Sequence, residues 1–229
     1  MSTASDAGTL GQHGVSPPIA WTTPGLARAC ARRLVGEHER SRTEIVRNPH
    51  LATRWAHAAV RSPGLLSAVQ AVIGPAVAVE NTFLLVKWPG RAFDVPWHQD
   101  GVDEFLELDP ARSVTAWLAL SDVTEANGCL HVAVGSQSLG YLPTAREPEH
   151  GHARGRSDQA VGFSPATTVP VPLSAGSAVL MDSRLLHRSG SNTQGAPRVG
   201  LNVRYAAPGA VLRRAPASPS LDRLSGEGW

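Results

Sequence analysis

The segment Val77-Ala78-Val79-Glu80-Asn81-Thr82-Phe83-Leu84-Leu85-Val86-Lys87-Trp88-Pro89-Gly90 is where the chain changes its period. Val77–Val79 and Thr82–Val86 are rich in β-branched and aromatic residues and read as strands, stopped by Pro89-Gly90. Upstream the spacing is helical. Ser62-Pro63 opens a helix with Leu65, Leu66, Val69 and Val72 on one face, and Gly74-Pro75 ends it. Asn48-Pro49 reads as a cap and first helical residue before Leu51, Trp55, Ala58 and Val60. Gly25–Arg47, with Leu26, Ala29, Leu34 and Ile45 among many charges, reads as one or two mostly solvated helices. Downstream the short strand candidates are 95–100, 114–120, 129–134, 167–171, 178–181, 185–188 and 199–206. Turn clusters such as Glu125-Ala126-Asn127-Gly128 and Ser189-Gly190-Ser191-Asn192 separate them. Many short strands spaced this way predict a mainly β protein, a double-sheet barrel or jelly roll with N-terminal flanking helices.

With 229 residues the chain fits one domain able to bury a real core. Its expected parts are a loose leader (1–23), a helical flank (24–74), a β core (75–207) and a surface tail (208–229). Residues 141–166, with Arg146, Glu147, Glu149, Arg154 and Arg156 close together, read as a lid. A net charge of +2 without a basic block argues against a nucleic-acid or anionic-membrane partner and leaves a small-molecule substrate. Cys30 and Cys129 stand far apart and neither has a CxxC partner, so neither a disulfide framework nor a thiolate zinc site is expected. The polar N-terminus lacks an apolar signal region and no run is long enough to span a bilayer, so a cytoplasmic protein is expected.

The chemistry centres on Trp97-His98-Gln99-Asp100-Gly101. Residues i and i+2 of a strand face the same side, so His98 and Asp100 can hold one metal ion. An HxD pair is by itself a weak signal, because the chain has nine histidines and such a pair often lies on a hydrogen-bonded surface. His187 lies in a later strand candidate and Arg198 follows eleven residues on. Two His and one carboxylate leave one face of an iron open, as non-haem Fe(II) oxygenases require. Those open positions take a bidentate 2-oxo acid and O2, and the fork of Arg198 suits the far carboxylate of that co-substrate. Ser189 shares the His187 face, and a short turn over 190–197 is expected to lay the Arg198 strand antiparallel beside it.

With these motifs in order, the sequence resembles the phytanoyl-CoA dioxygenase family of Fe(II)/2-oxoglutarate oxygenases. The resemblance runs from about Leu51 to Tyr205. It includes Val72-Ile73-Gly74, Leu85–Gly90, Trp97–Gly101, Val114–Gly128, Leu186–Asn192 and Arg198. It implies a cupin-like double-stranded β-helix, with Fe(II) at His98, Asp100 and His187 and 2-oxoglutarate at Arg198 with Ser189. Trp117 falls where similar proteins place an aromatic near the co-substrate. The usual Pro-Gly-Ser-His is here Val134-Gly135-Ser136-Gln137, which leaves that loop's shape open. Asp100 supplies the acidic ligand, so the halide-binding vacancy of related halogenases is not expected.

Of the remaining polar residues, Lys87 reads as a surface lysine at a strand end rather than a co-substrate contact. Trp97 reads as packing, and His150 and His152 as solvated loop residues. Either Thr82, Leu84 and Val86 or Asn81, Phe83, Leu85 and Lys87 line the cavity. Arg198, Gly200, Asn202 and Arg204 alternate onto one face, so Asn202 and Arg204, with His131, are candidate substrate contacts. They suit a sugar or aminocyclitol intermediate of antibiotic biosynthesis, oxidised by hydroxylation or by orthoester or methylenedioxy ring closure. The alternatives are hydroxylation of an amino acid, peptide or terpenoid, a zinc hydrolase on the same ligands, and a metal-free binding module.

Overall fold

The computed structural model describes residues 3–147, 158–165 and 167–229. In chain order the elements begin with α1 (Thr3–His13), β1 (Ile19–Ala20), α2 (Pro24–His38), β2 (Ile45–Arg47), α3 (Pro49–Ala52), α4 (Arg54–Ala59) and α5 (Pro63–Ile73). The strands β3 (Val77–Lys87), β4 (Val95–His98), β5 (Glu107–Leu108), β6 (Ser113–Ala119) and β7 (Leu130–Ala133) follow. The chain then forms β8 (Thr144–Arg146), β9 (Asp158–Ala160), β10 (Thr168–Val171), β11 (Ser177–Asp182), β12 (His187–Ser189) and β13 (Arg198–Ala206). It ends with β14 (Val211–Arg213) and β15 (Asp222–Ser225).

Two antiparallel sheets form the expected jelly roll. The major sheet runs β1-β11-β6-β13-β3-β15, with β2 also on β3, and the minor sheet runs β10-β7-β12-β4. The two segments expected before Pro89 are one strand, β3, whose free edge is shared by β2 near its end and β15 near its start. The outer face of the major sheet carries Leu84, Val86, Ala116, Leu118, Leu201 and Val203, which pack with Leu34, Leu65 and Val69 of the helices. Its inner face carries Trp117, Ala119, Val179 and Met181, which meet Leu130 and Val132 of the minor sheet. Alternation along each strand divides the apolar residues between these two cores.

The pairing decides which face of β3 lines the interior. Cα partners lie on one face, and Arg198, Gly200, Asn202 and Arg204 oppose Lys87, Leu85, Phe83 and Asn81. Asn81, Phe83, Leu85 and Lys87 therefore look inward, while Thr82, Leu84 and Val86 look toward the helices.

Several boundaries differ from expectation for identifiable reasons. Ile45 belongs to a strand, because β3 offers it an unpaired edge. Asn48 does not cap with its side chain; it sits left-handed at φ 52°, and its Oδ1 accepts from Thr82 N at 3.2 Å. Thr53, extended at φ −130°, divides the expected second helix in two. The leader is not loose throughout, since β1 pairs with β11 and Leu10 is buried. The tail is structural as well: β15 joins the major sheet, β14 pairs with β5, and Asp222 meets Arg61 at 2.6 Å. Within the expected lid, β8 and β9 form a hairpin, and Phe163 packs edge-on to Trp97 at 5.6 Å, so Trp97 packs as expected. His150 and His152 lie outside the described residues. Among the described residues no helix is long and apolar enough to cross a membrane.

The tail gives a direct test. Arg214 holds the buried Glu80 carboxylate at 2.8 Å, while Leu212 is exposed. Removing one partner of a buried pair strands the other charge, so Arg214→Ala should cost about 3 kcal/mol in urea unfolding. Leu212→Ala should cost about 0.5 kcal/mol or less. Equal, small losses in both would mean the tail is the surface extension the sequence suggests.

Candidate functional site

β4 ends at His98, and Asp100 follows in the turn beyond it. β12 lies between β7 and β4 and places His187 directly opposite His98. Each imidazole is oriented by its own strand: His98 Nδ1 lies 2.8 Å from Pro96 O and His187 Nδ1 lies 3.0 Å from Leu185 O. Both carbonyls are acceptors, which fixes the proton on Nδ1 and turns a bare Nε2 inward. His98 Nε2 stands 3.9 Å from Asp100 Oδ1, and His187 Nε2 stands 3.7 Å from Asp100 Oδ2. The three ligand atoms lie within 4.8 Å of one another. Donors bound to one ion at about 2.1 Å stand roughly 3–4 Å apart, so a small contraction seats a divalent metal.

The charge states suit a cation. Burial, together with the facing His187, lowers the His98 pKa to about 4, so its ring is neutral at pH 7. Burial would raise the Asp100 pKa, but His187, Arg204 and His98 and the Asn202 hydrogen bond outweigh it and hold the carboxyl well below the usual range. Asn202 Nδ2 donates to Asp100 Oδ2 at 3.1 Å, and Arg204 Nη2 donates to Oδ1 at 3.3 Å. These two candidate substrate contacts are thus in the cavity but engaged with the carboxylate. Gln99, between the two and just past the strand, clamps the segment: its amide donates to Gly140 O and Arg184 O and accepts from Leu142 N. No role was expected of Gln99 from the sequence; its position between two ligand-type residues was the one signal available for it.

At the other end of β13, Arg198 is 1% exposed. One nitrogen donates to Gly128 O, while Nε and Nη1 are buried without a partner. Burial lowers the guanidinium pKa to about 10. A buried cation lacking a counter-charge is costly unless a ligand supplies one, and two free N–H groups match one carboxylate. The Trp117 ring lies 4.9 Å from its Cζ, and the indole Nε1 is also buried without a partner. Gly200 makes room, since a Cβ there would stand 2.5 Å from the indole. Gly128, at φ 86°, brings its carbonyl to Arg198, and any Cβ would strike Gly190 O.

Three expectations are corrected here. Lys87 is 1% exposed, opposite Arg198, and its ammonium donates to Phe93 O at 2.5 Å and Ser189 O at 3.3 Å. His131 opposes the exposed Arg188 on the outer face of the minor sheet, because Leu130 and Val132 take the inward positions. It does not reach the cavity. The Arg198 strand does not lie beside β12: residues 190–197 cross to the major sheet, where β13 pairs with β6 and β3. Asn192 braces that crossing by donating to Lys87 O and Ala196 O. Ser189 is buried on the His187 side of β12, as expected. Gln137, the family departure, donates to Gly11 O and Gln12 O and so docks the end of α1.

The Phytanoyl-CoA dioxygenase (PhyH) family model matches residues 30–200. The chain belongs to the phytanoyl-CoA dioxygenase family. A curated relative, phytanoyl-CoA dioxygenase domain-containing protein 1 of Danio rerio, is 31% identical over 125 residues, which is 52% of this chain. That match spans only 41% of the relative's length. Among solved structures, the non-heme monooxygenase ThoJ is 27% identical with a TM-score of 0.79, covering 96% of this chain and 84% of that one. The epimerase SnoN, solved with Fe3+, alpha-ketoglutarate and nogalamycin RO, shares the fold at 18% identity and TM-score 0.76, covering 96% and 92%.

Two outcomes are expected. Asn202→Ala and Arg204→Met should each weaken divalent-metal affinity about 10–100-fold in a competition titration, because they orient a ligand. In metal-free protein, His98 has a folded pKa of about 4 against an ordinary 6.5. The unfolded chain takes up the proton first, so stability should fall as pH drops from 6.5 toward 4. Melting curves should show that slope reduced in His98→Gln; an unchanged slope would assign it elsewhere.

Proposed function

We propose that the protein is an Fe(II)- and 2-oxoglutarate-dependent dioxygenase that oxidises a C–H bond of a small molecule. The observation that carries this reading is Arg198, a buried guanidinium with two unpartnered N–H groups, on the strand that also orients Asp100. A zinc hydrolase would need the triad but would give that cation no task. A metal-free binding module would give no reason for two Nε2 atoms and a carboxylate to converge.

His98, Asp100 and His187 would hold the iron from one side, leaving the other open. Arg198 would take the far carboxylate of 2-oxoglutarate, with Ser189 and the Trp117 indole beside it, and Lys87 adds positive charge at that end. Bound there together, the metal and the 2-oxo acid would supply the O2-activating, C–H-oxidising chemistry. The protein's own part is positioning and exclusion of water. The buried inner face of β6 and β13 keeps the co-substrate end dry, and the β8–β9 hairpin flanks β4 beside His98.

The expected sugar or aminocyclitol class rested on His131, Asn202 and Arg204. One faces outward and two are committed to Asp100, so the reading retained is hydroxylation or ring closure on a biosynthetic intermediate. Support for an antibiotic pathway comes from the shared fold with SnoN. Amino acid, peptide and terpenoid intermediates are the alternatives within the class.

Anaerobic addition of Fe(II) and 2-oxoglutarate should produce a visible metal-to-ligand charge-transfer band. Arg198→Ala should raise the 2-oxoglutarate concentration needed about a hundredfold, the worth of two lost charge-assisted hydrogen bonds. His187→Ala should abolish the band. Tight zinc binding with no band at any 2-oxoglutarate concentration would sink the proposal.

A further inference from the structure

The inner face of the major sheet is buried on β6 and β13 but opens at its β3–β2 edge. On β3 the inward Asn81, Phe83 and Leu85 are only partly buried, whereas their outward neighbours Thr82, Leu84 and Val86 are fully buried. Pairing extends this face onto β2, where Ile45 opposes Leu85 and Arg47 opposes Phe83. The minor sheet ends at β4, and β2 adds to the β3 edge of the major sheet. Of the three metal-ligand candidates, His98 on β4 has the side chain that is accessible, at 25%, against 3% and 4% for His187 and Asp100. Arg204 joins the two places, since it reaches both the Phe83 ring and Asp100, so the apolar strip Ile45–Leu85–Phe83 adjoins the candidate metal ligands.

Charge at the strip is one-sided. Arg47 Cζ lies 5.2 Å from the Phe83 ring centroid, and Arg204 Cζ lies 5.5 Å from the same ring. Arg204 is committed to Asp100, with Asp103 at 4.0 Å, and its Nε is buried without a partner. Arg47 is exposed at the rim and, among the described residues, makes no ion pair. Stacking on Phe83 holds the Arg47 guanidinium at the rim, where its N–H groups can pair with an oxyanion.

We propose that this cleft is the substrate site and that it takes a molecule with a flat apolar body bearing a carboxylate or similarly acidic oxygen. The body lies on Leu85 and Ile45 against the edge of Phe83, and Arg47, stacked on that ring, pairs with the acidic group. The proposal rests on the oxygenase reading only in calling the occupant the substrate; the cleft itself is independent of the cofactors.

The test uses the full chain with Fe(II) and saturating 2-oxoglutarate under argon, titrated calorimetrically with 2-naphthoate and with its neutral match, 2-naphthamide. The acid should bind at least tenfold more tightly than the amide. Arg47→Gln should erase that difference, Arg47→Lys should restore part of it, and Phe83→Ala should weaken both probes. Equal binding of the two probes, or a tenfold preference that survives Arg47→Gln, overturns the proposal. So does naphthoate binding that competes with 2-oxoglutarate, which would place the acid at Arg198. The charge-transfer band, read in the same samples, separates the two claims. Selective binding without a band defeats the oxygenase reading alone, and a band without selective binding defeats the cleft alone.

Discussion

A strand buried on both faces can offer only every second residue to each side, and β13 lies at the centre of the major sheet under that constraint. Its outward residues, Val199, Leu201 and Val203, belong to the helix-side core. Its inward residues are Arg198, Gly200, Asn202 and Arg204, and they divide three tasks. Arg198 supplies an uncompensated cation, Gly200 admits the Trp117 indole, and Asn202 and Arg204 hold Asp100. One stretch of backbone thus fixes both the proposed co-substrate end and the candidate acidic ligand. Their separation is set by the strand's rise, not by flexible loops.

The polar groups along this face depend on one another. Asp100 is ionised because cationic and hydrogen-bonding groups surround it, and Arg204 is tolerated in the interior because Asp100 faces it. Arg198 has no such carboxylate among the described residues; its partners are a backbone carbonyl and the Trp117 face. Burial without a counter-ion is the usual mark of a position completed by a ligand. The same inner surface becomes apolar and open toward β3 and β2, where the helices cover only its back.

Much of this was legible in the sequence. The helix over Pro63–Ile73 and most strands followed from periodicity and from Pro and Gly punctuation. Residue type, spacing and family resemblance singled out His98, Asp100, His187 and Arg198, and the fold brings the first three within 4.8 Å of one another and buries the fourth. What failed was tied to long-range pairing. Ile45 and the tail residues 222–225 carry no strong strand pattern and become strands because β3 leaves an edge to cover. Lys87 looked like an exposed strand end, yet carbonyls of Phe93 and Ser189 converge on it from separate segments.

The sequence by itself determined the sheet-rich class and the alternation along β13, because these are properties of one strand's own geometry; Asp100 lies past the end of β4, and Asn202 and Arg204 hold it beside His98. Tertiary structure alone decided which alternating set faces inward. It turned His131 out and Asn81, Phe83, Leu85 and Lys87 in, and it sent β13 to the opposite sheet from β12. The physical reason is that alternation gives each strand two equivalent faces. Only register with a neighbouring strand, and an apolar core on one side, distinguishes them.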